Sequence, residues 1–373
     1  YWRHPGFLDR KKPWQPPLYV TGESAIANYA GGAAEMAPTR LLDRPFSVSE
    51  WNYVYPNPYL IEGGFLMGAY GALQDWSSLC RFAWSHGGPN LDQAETPLNE
   101  FDIANDPMRK LSERVAVLFF LRGDVRPATS FYPILLSRHH NESHDSDSFP
   151  PAVHRMMMLG ATGTILTEPG KAPELPAGTR LAIALSEDFP QCIQPVRSAA
   201  QAQDELKLSR TVFVSDTGEI TLDSETKAFT VSTAKSEGFV LAARRTLDGK
   251  FAAVRNGDAF AGFLVAAMDG KTLNESHRYL LLHMTMNHNT GIHFRDPEMT
   301  IIEEWGVAPL LLRKNCAEIT LKRDLTGFRL YAVELDGSRR TAIPFRIQNG
   351  RTIIAADNAI DNVATVVYEL VKE

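Results

Sequence analysis

At 373 residues, with 44% hydrophobic and 22% charged side chains, the chain has the composition of an ordered globular protein of two or three domains and not of a disordered one. Its 38 Lys and Arg stand against 44 Asp and Glu, a net charge of −6 with no basic block, so the electrostatic footprint of a nucleic-acid binder or an anionic-membrane binder is missing and neutral or polar partners fit better. No apolar run reaches the length of a membrane span, no signal peptide is visible, and Cys80, Cys192 and Cys316 lie too far apart for a disulfide framework or a zinc knuckle.

The opening Tyr1-Trp2-Arg3-His4-Pro5 reads like the tail of a strand. Residues 6–43 read as loop and weak helix: Pro13, Pro16 and Pro17 mark irregular chain, Trp14 packs or lines a cleft, and Ser24 to Ala34 is small and weakly helical. Glu23 and Glu35 are expected to be solvated. Phe46 and Val48 then begin a short apolar run that suits a buried strand and ends in Glu50, Trp51, Asn52 and Tyr53.

Pro56-Asn57-Pro58 signals a turn. Leu66, Tyr70, Leu73 and Gln74 recur at helical spacing, and Leu79 to Trp84 makes a second strand that runs into Ser85 and His86. Strand, helix, strand, with polar and aromatic residues after each strand, is the grammar of a (β/α) barrel, whose active site sits at the carboxyl ends of its strands.

These residues resemble a family. Ser49-Glu50-Trp51-Asn52 after an apolar strand, a helix closing at Gln74-Asp75-Trp76, and Phe82-Ala83-Trp84-Ser85-His86 are similar to strands seven and eight of clan A retaining glycoside hydrolases, especially the multidomain polysaccharide-degrading and β-galactosidase-like members. The resemblance implies that Glu50 is the catalytic nucleophile and that Trp84 floors the sugar site. It also implies that Tyr1 and His4, at the end of strand six, contact the nucleophile. Trp51, Asn52, Tyr53 and His86 complete the candidate substrate contacts, with barrel-rim packing as the alternative for Trp51 and Tyr53.

A full barrel takes about 250 residues, and the stretch before the β-rich half offers about half of that. The expectation is therefore a chain truncated upstream, with strands six to eight in residues 1–128 and the acid/base carboxylate before Tyr1. Asn99-Glu100 has the letters of that motif but follows strand eight in a polar loop, and is not assigned the role.

Asn105-Asp106-Pro107 starts a helix, a capping residue followed by proline in the first turn, with Leu111, Val115, Leu118 and Phe119 as its apolar stripe. It is expected to be the last barrel helix, closing in a turn at Arg122-Gly123-Asp124. Residues 129–208 form a connecting α/β or β region, with strands at Phe131 to Leu136 and Arg180 to Ala184 and a core run at Met156-Met157-Met158. The loop Arg138 to Ser148 carries His139, His140, His144, Asp145 and Asp147, which suits either a metal or plain solvation.

From about Ser209 the grammar is all-β, beginning with a hairpin across Asp216-Thr217-Gly218-Glu219 and continuing to residue 373 as a β-sandwich. His283, His288 and His293 are expected to have independent structural roles. The fold class is thus α/β plus β: the C-terminal part of a TIM barrel followed by a sandwich at 209–373. The function expected is retaining hydrolysis of O-glycosidic bonds in oligo- or polysaccharides, with no cofactor, metal, nucleic-acid partner or membrane insertion, and an extracellular or periplasmic setting. The alternative is a non-catalytic carbohydrate-binding or scaffold protein.

Overall fold

The computed structural model describes residues 2–88, 96–138, 149–168, 171, 173–185 and 195–373. Tyr1 and the His-rich run 139–148 lie outside them, as does Cys192. The fold is mixed α and β with several sheets.

The middle layer is a nine-stranded antiparallel sheet. Its strands run in the order Arg339–Ile343, Phe328–Val333, Val367–Lys372, Arg278–Met284, Ala261–Ala267, Ser236–Leu241, Ala228–Ser232, Ile220–Asp223 and Val212–Val214. Side chains alternate across a strand, and both faces are buried: Val240, Leu264 and Leu282 join one core while Phe239, Leu241, Phe263, Val265 and Leu281 join another. That explains why these strands read as continuous apolar runs. The second core is closed by a five-stranded antiparallel sheet, whose Ala252, Val254, Ile319, Leu321 and Ile354 face the middle layer. The expected hairpin is present, with Thr221 opposite Val214 and Gly218 in the left-handed region at φ 65°.

The first core packs a small parallel β/α unit on the other face. Strand β1 (Ser47–Trp51) pairs in parallel with β2 (Ser78–Arg81) through the intervening helix α1 (Glu62–Leu73). All twelve residues of α1 are buried, as expected of a helix that is apolar all round. One side meets helix α2 (Pro107–Ala116), where a Cβ on Gly64 would lie 1.7 Å from the Ser112 carbonyl oxygen and one on Gly68 would lie 2.6 Å from Ala116 Cα. Another side meets the middle sheet, where Phe65 and Phe119 fill the space a side chain at Gly238 would need.

Helix α2 begins as its sequence indicates. Asp106 caps it by accepting from the Met108 and Arg109 amides, Pro107 takes the first turn, and Leu111, Val115, Leu118 and Phe119 are buried. A separate four-stranded parallel sheet follows, with β3 (Phe131–Ser137) flanked by β4 (Ala161–Thr167) and β5 (Ala182–Ala184), and β6 (Val196–Arg197) beyond β5. Met156, Met157 and Met158 are core, as expected.

Two local expectations change. The stretch Ser24 to Ala34 is a set of turns with only Ala33–Met36 helical. Its shape is set by buried Glu62, which accepts from Ser24 Oγ at 2.6 Å and from the Ala25 and Ile26 amides at 2.6 and 3.2 Å. Residues 6–43 also hold two short strands, Gly6–Phe7 and Leu18–Tyr19, the second pairing with Ile301–Glu304 of the β-rich half. Strand pairing between distant segments leaves no local periodicity to read.

Gly64→Ala and Gly68→Ala are each expected to destabilise the protein by at least about 2 kcal/mol, since overpacking against backbone outweighs the gain in helix propensity. Gly88→Ala, with open space around it, should change stability by less than about 0.5 kcal/mol in the same urea titrations.

Burial pushes the Glu62 carboxyl from 4.5 to about 8, partly offset by the bonds from Ser24, Ile26 and Ala25. The folded state therefore holds a proton that the unfolded chain releases near its ordinary value. This contribution to stability is present below about pH 4.5 and is lost as pH rises through about 8. Unfolding midpoints measured from about pH 5 to about pH 8 should fall, and Glu62→Gln, whose amide can donate to Ser24 Oγ while its carbonyl accepts the two amides, should flatten that slope.

Candidate functional site

The carboxyl ends of β1 and β2 lie side by side because the two strands are parallel. Ser47 pairs with Ser78, Val48 with Leu79, and Trp51 with Arg81, with a register shift between Val48 and Trp51. Strict alternation from buried Val48 would turn Glu50 inward. The shift instead buries Trp51 and leaves Glu50 on the exposed side with Ser47 and Ser49.

Trp51, Asn52 and Tyr53 are buried, at 2%, 1% and 2% exposure. The Arg81 guanidinium lies 4.3 Å over the Trp51 ring. Asn52 Nδ2 donates to the Phe82 carbonyl at 2.5 Å and the Phe101 carbonyl at 2.9 Å, while its Oδ1 accepts from Arg81 Nη2 at 2.9 Å. Tyr53 donates its hydroxyl to the Gly31 carbonyl at 2.8 Å. Asn52 and Tyr53 tie the ends of β1 and β2 to neighbouring loops, whereas the Trp51 indole nitrogen is buried with no hydrogen-bond partner among the described residues. The structure thus buries Trp51, Asn52 and Tyr53 between β1, β2 and their neighbouring loops, and none of the three lines the cavity next to them.

Beyond β2, where Asn52 captures the Phe82 carbonyl, residues 83–84 pair with 101–104: Ala83 donates to Phe101, and Ile103 and Ala104 donate to Ala83 and Trp84. Here a cavity of about 530 Å³ opens, lined by His4, Trp14, Phe82, His86, Asn99, Glu100 and Phe101. Its size suits a small ligand. Trp14 stands with its ring 5.5 Å from Phe101 and 5.2 Å from His4, and Phe82 stands 5.7 Å from Phe101, so apolar faces and imidazole edges alternate around the wall. His4 donates from Nδ1 to the Pro5 carbonyl at 2.7 Å.

The loop that supplies Asn99, Glu100 and Asp102 is held from α2. Fully buried Arg109 donates from Nε to Asp106 at 2.6 Å, from Nη1 to the Glu100 carbonyl at 2.7 Å, and from Nη2 to the Asn99 and Asp102 carbonyls at 2.8 and 2.7 Å. Asp102 in turn pairs with His86 Nδ1 and accepts from the His86 amide at 3.1 Å and from Asn99 Nδ2 at 3.0 Å. Burial alone would raise the Asp102 carboxyl, but the bonds from Asn99 and His86 hold it below the ordinary carboxylate range. A carboxylate on Nδ1 orients the imidazole and leaves Nε2 to meet a ligand.

Glu100 is only 8% exposed, and its Oε1 is buried with no hydrogen-bond partner among the described residues. Burial raises its carboxyl above the ordinary value, with hydrogen bonding to its own backbone and the Arg109 charge opposing. A residue set aside as a loop carboxylate is therefore part of the cavity wall, in the environment that favours its protonated form. No local signal reveals this, because Arg109 and the 101–104 pairing create it.

Trp84, expected to floor a sugar site, is 51% exposed and lines a different groove, between α2 and the middle sheet. The aromatic walls of the cavity come instead from Trp14, Phe82 and Phe101. Of the expected contacts, His4 and His86 reach the cavity, Glu50 and Trp84 do not line it, and Tyr1 lies outside the described residues.

His283, His288 and His293 of the β-rich half have separate partners. His283, which burial pushes down to about 3, stacks on Phe263 at 4.5 Å and meets Asn315 at 2.9 Å. His288 meets the Tyr55 hydroxyl at 3.2 Å and His293 meets Glu303 at 3.2 Å. Among the described residues no three metal-ligating side chains converge, and no helix is long and apolar enough to cross a membrane. No family model matches the chain, and no curated protein matches it.

Asn52→Ala removes a donor from the Phe82 and Phe101 carbonyls and an acceptor from the buried Arg81 guanidinium, so it should lower stability by about 2 kcal/mol in urea denaturation. A ligand-binding role for Asn52 would show the reverse pattern, weaker sugar binding at unaltered stability.

Proposed function

We propose that this chain carries part of the active site of a retaining glycoside hydrolase acting on oligo- or polysaccharides. The finer fold reading belongs to the same proposal: β1, α1 and β2 are the closing part of a (β/α)8 barrel, and the nine- and five-stranded sheets form a β-sandwich behind it. The observation that supports the reading is the placement of chemistry at one end of the parallel unit. Glu50 stands one residue before the end of β1, and Phe82 and His86, in the wall of an aromatic cavity, follow the end of β2.

In this reading the Glu50 carboxylate attacks the anomeric carbon to form a glycosyl ester as the glycosidic C–O bond breaks. A second carboxyl group gives the departing oxygen its proton and then, as carboxylate, takes a proton from the water that hydrolyses the ester. The acid/base group of this reading is a carboxyl other than Glu50. The cavity holds a sugar: Trp14, Phe82 and Phe101 face its C–H surfaces, and His86, oriented by Asp102, and Asn99 bond its hydroxyls.

Because Glu50 does not line the cavity, a second reading has its own support: non-catalytic carbohydrate binding by the same walls. Turnover and binding separate the two. Under hydrolysis, Glu50→Gln should abolish release of an aryl glycoside's leaving group while sugar affinity and folding persist. Turnover unchanged in Glu50→Gln would remove the nucleophile. Hydrolysis that is lost in Glu100→Gln would place the acid in this cavity. Under simple binding, Trp14→Ala should weaken affinity with no turnover in any form.

A further inference from the structure

The groove that receives Trp84 has a volume of about 460 Å³ and runs between α2 and the middle sheet. Its rim exposes large apolar surface: Trp84 at 51%, Met268 at 40% and Leu335 at 57%. Single exposed apolar residues are ordinary, but three around one concavity mark a contact site. The groove's charges are also unequal. Arg278 bonds Glu369 at 2.6 Å, Glu369 is shared with Arg339 at 2.6 Å, and Glu334 meets Arg340 at 3.3 Å, so both carboxylates in the lining are engaged.

Lys110 and Arg114 differ. They stand one helical turn apart on α2, both line the groove, and neither side chain makes a hydrogen bond or ion pair among the described residues. Like charges at this spacing repel. Burial lowers the Lys110 ammonium, Asp106 opposes that, and Arg114 adds to it. An anion between the two cations would relieve their repulsion and complete their hydrogen bonding.

We propose that this groove binds an acidic sugar unit, with the Trp84 ring against the apolar face of the pyranose and its carboxylate held by Lys110 and Arg114. The choice of a sugar rests on the carbohydrate reading above, whereas the anionic part rests on the groove alone. Such a site lies apart from the cavity of Phe82 and His86, on the other side of the same chain segment, and serves as an accessory subsite for substrates that carry uronate residues.

Calorimetric titration of the chain with D-glucuronate, D-glucose and inorganic sulfate tests this without any turnover, so failure of the hydrolase reading and failure of this one are read separately. Glucuronate should bind at least about tenfold more tightly than glucose, the size expected for a charge-assisted hydrogen bond. Its affinity should fall with added salt, and at least about tenfold in Lys110→Gln with Arg114→Gln and in Trp84→Ala. Arg114→Gln alone, at an exposed position, provides a variant whose folding is not at risk. Equal affinity for glucose and glucuronate, or glucuronate binding untouched by Arg114→Gln and the double variant, overturns the proposal. Sulfate binding as tightly as glucuronate with no effect of Trp84→Ala overturns its sugar half.

Discussion

The burial of α1 on every side is the constraint on which the rest depends. A helix with twelve buried residues needs neighbours close enough to leave no water, and here glycine provides the approach: Gly64 and Gly68 toward α2, Gly238 of the middle sheet toward Phe65. Close packing transmits position. With α1 fixed between the sheet and α2, the strands on either side of it are fixed too, and their carboxyl ends are held at one edge of the molecule.

From that edge the site is assembled by buried polar groups that bond the protein's own backbone. Asn52 joins the end of β1 to Phe82 and Phe101, and Arg109 gathers the loop that carries Asn99, Glu100 and Asp102. A buried guanidinium is costly unless its donors are satisfied. Arg109 meets that condition with Asp106, which also caps α2 and accepts from Asn287 of the β-rich half at 2.9 Å. One ion pair thus links a helix start, a cavity loop and the C-terminal region. The chain from Phe82 to His86 leaves this frame with Phe82 and His86 in one cavity and Trp84 in another.

The contrast between Glu50 and Glu100 shows how environment, not letter, assigns a carboxylate its chemistry. Glu50 sits at the end of a parallel strand, where a catalytic residue is sought, and the register shift of β1 turns it to the exposed side. Glu100 sits in what reads as a polar loop and ends in an aromatic wall, with a raised carboxyl and a buried oxygen that has no partner among the described residues. Buried unsatisfied groups are uncommon in native proteins and are often functional.

By itself the sequence determined what short-range physics controls. The Asp106-Pro107 helix start, the parallel β1-α1-β2 unit, the Met156 to Met158 core, the hairpin across Gly218 and most strands of the β-rich half follow from capping, period and turn chemistry within a few residues. Tertiary structure alone decided what depends on partners far along the chain: the pairing of Leu18–Tyr19 with Ile301–Glu304, the Glu62 anchor for residues 24–26, the withdrawal of Asn52 and Tyr53 into the framework, and the cavity walls of Trp14, Phe101 and Glu100. The physical reason is that burial and hydrogen-bond partners across tens or hundreds of residues leave no periodic trace, so a side chain's role was fixed only once its neighbours arrived.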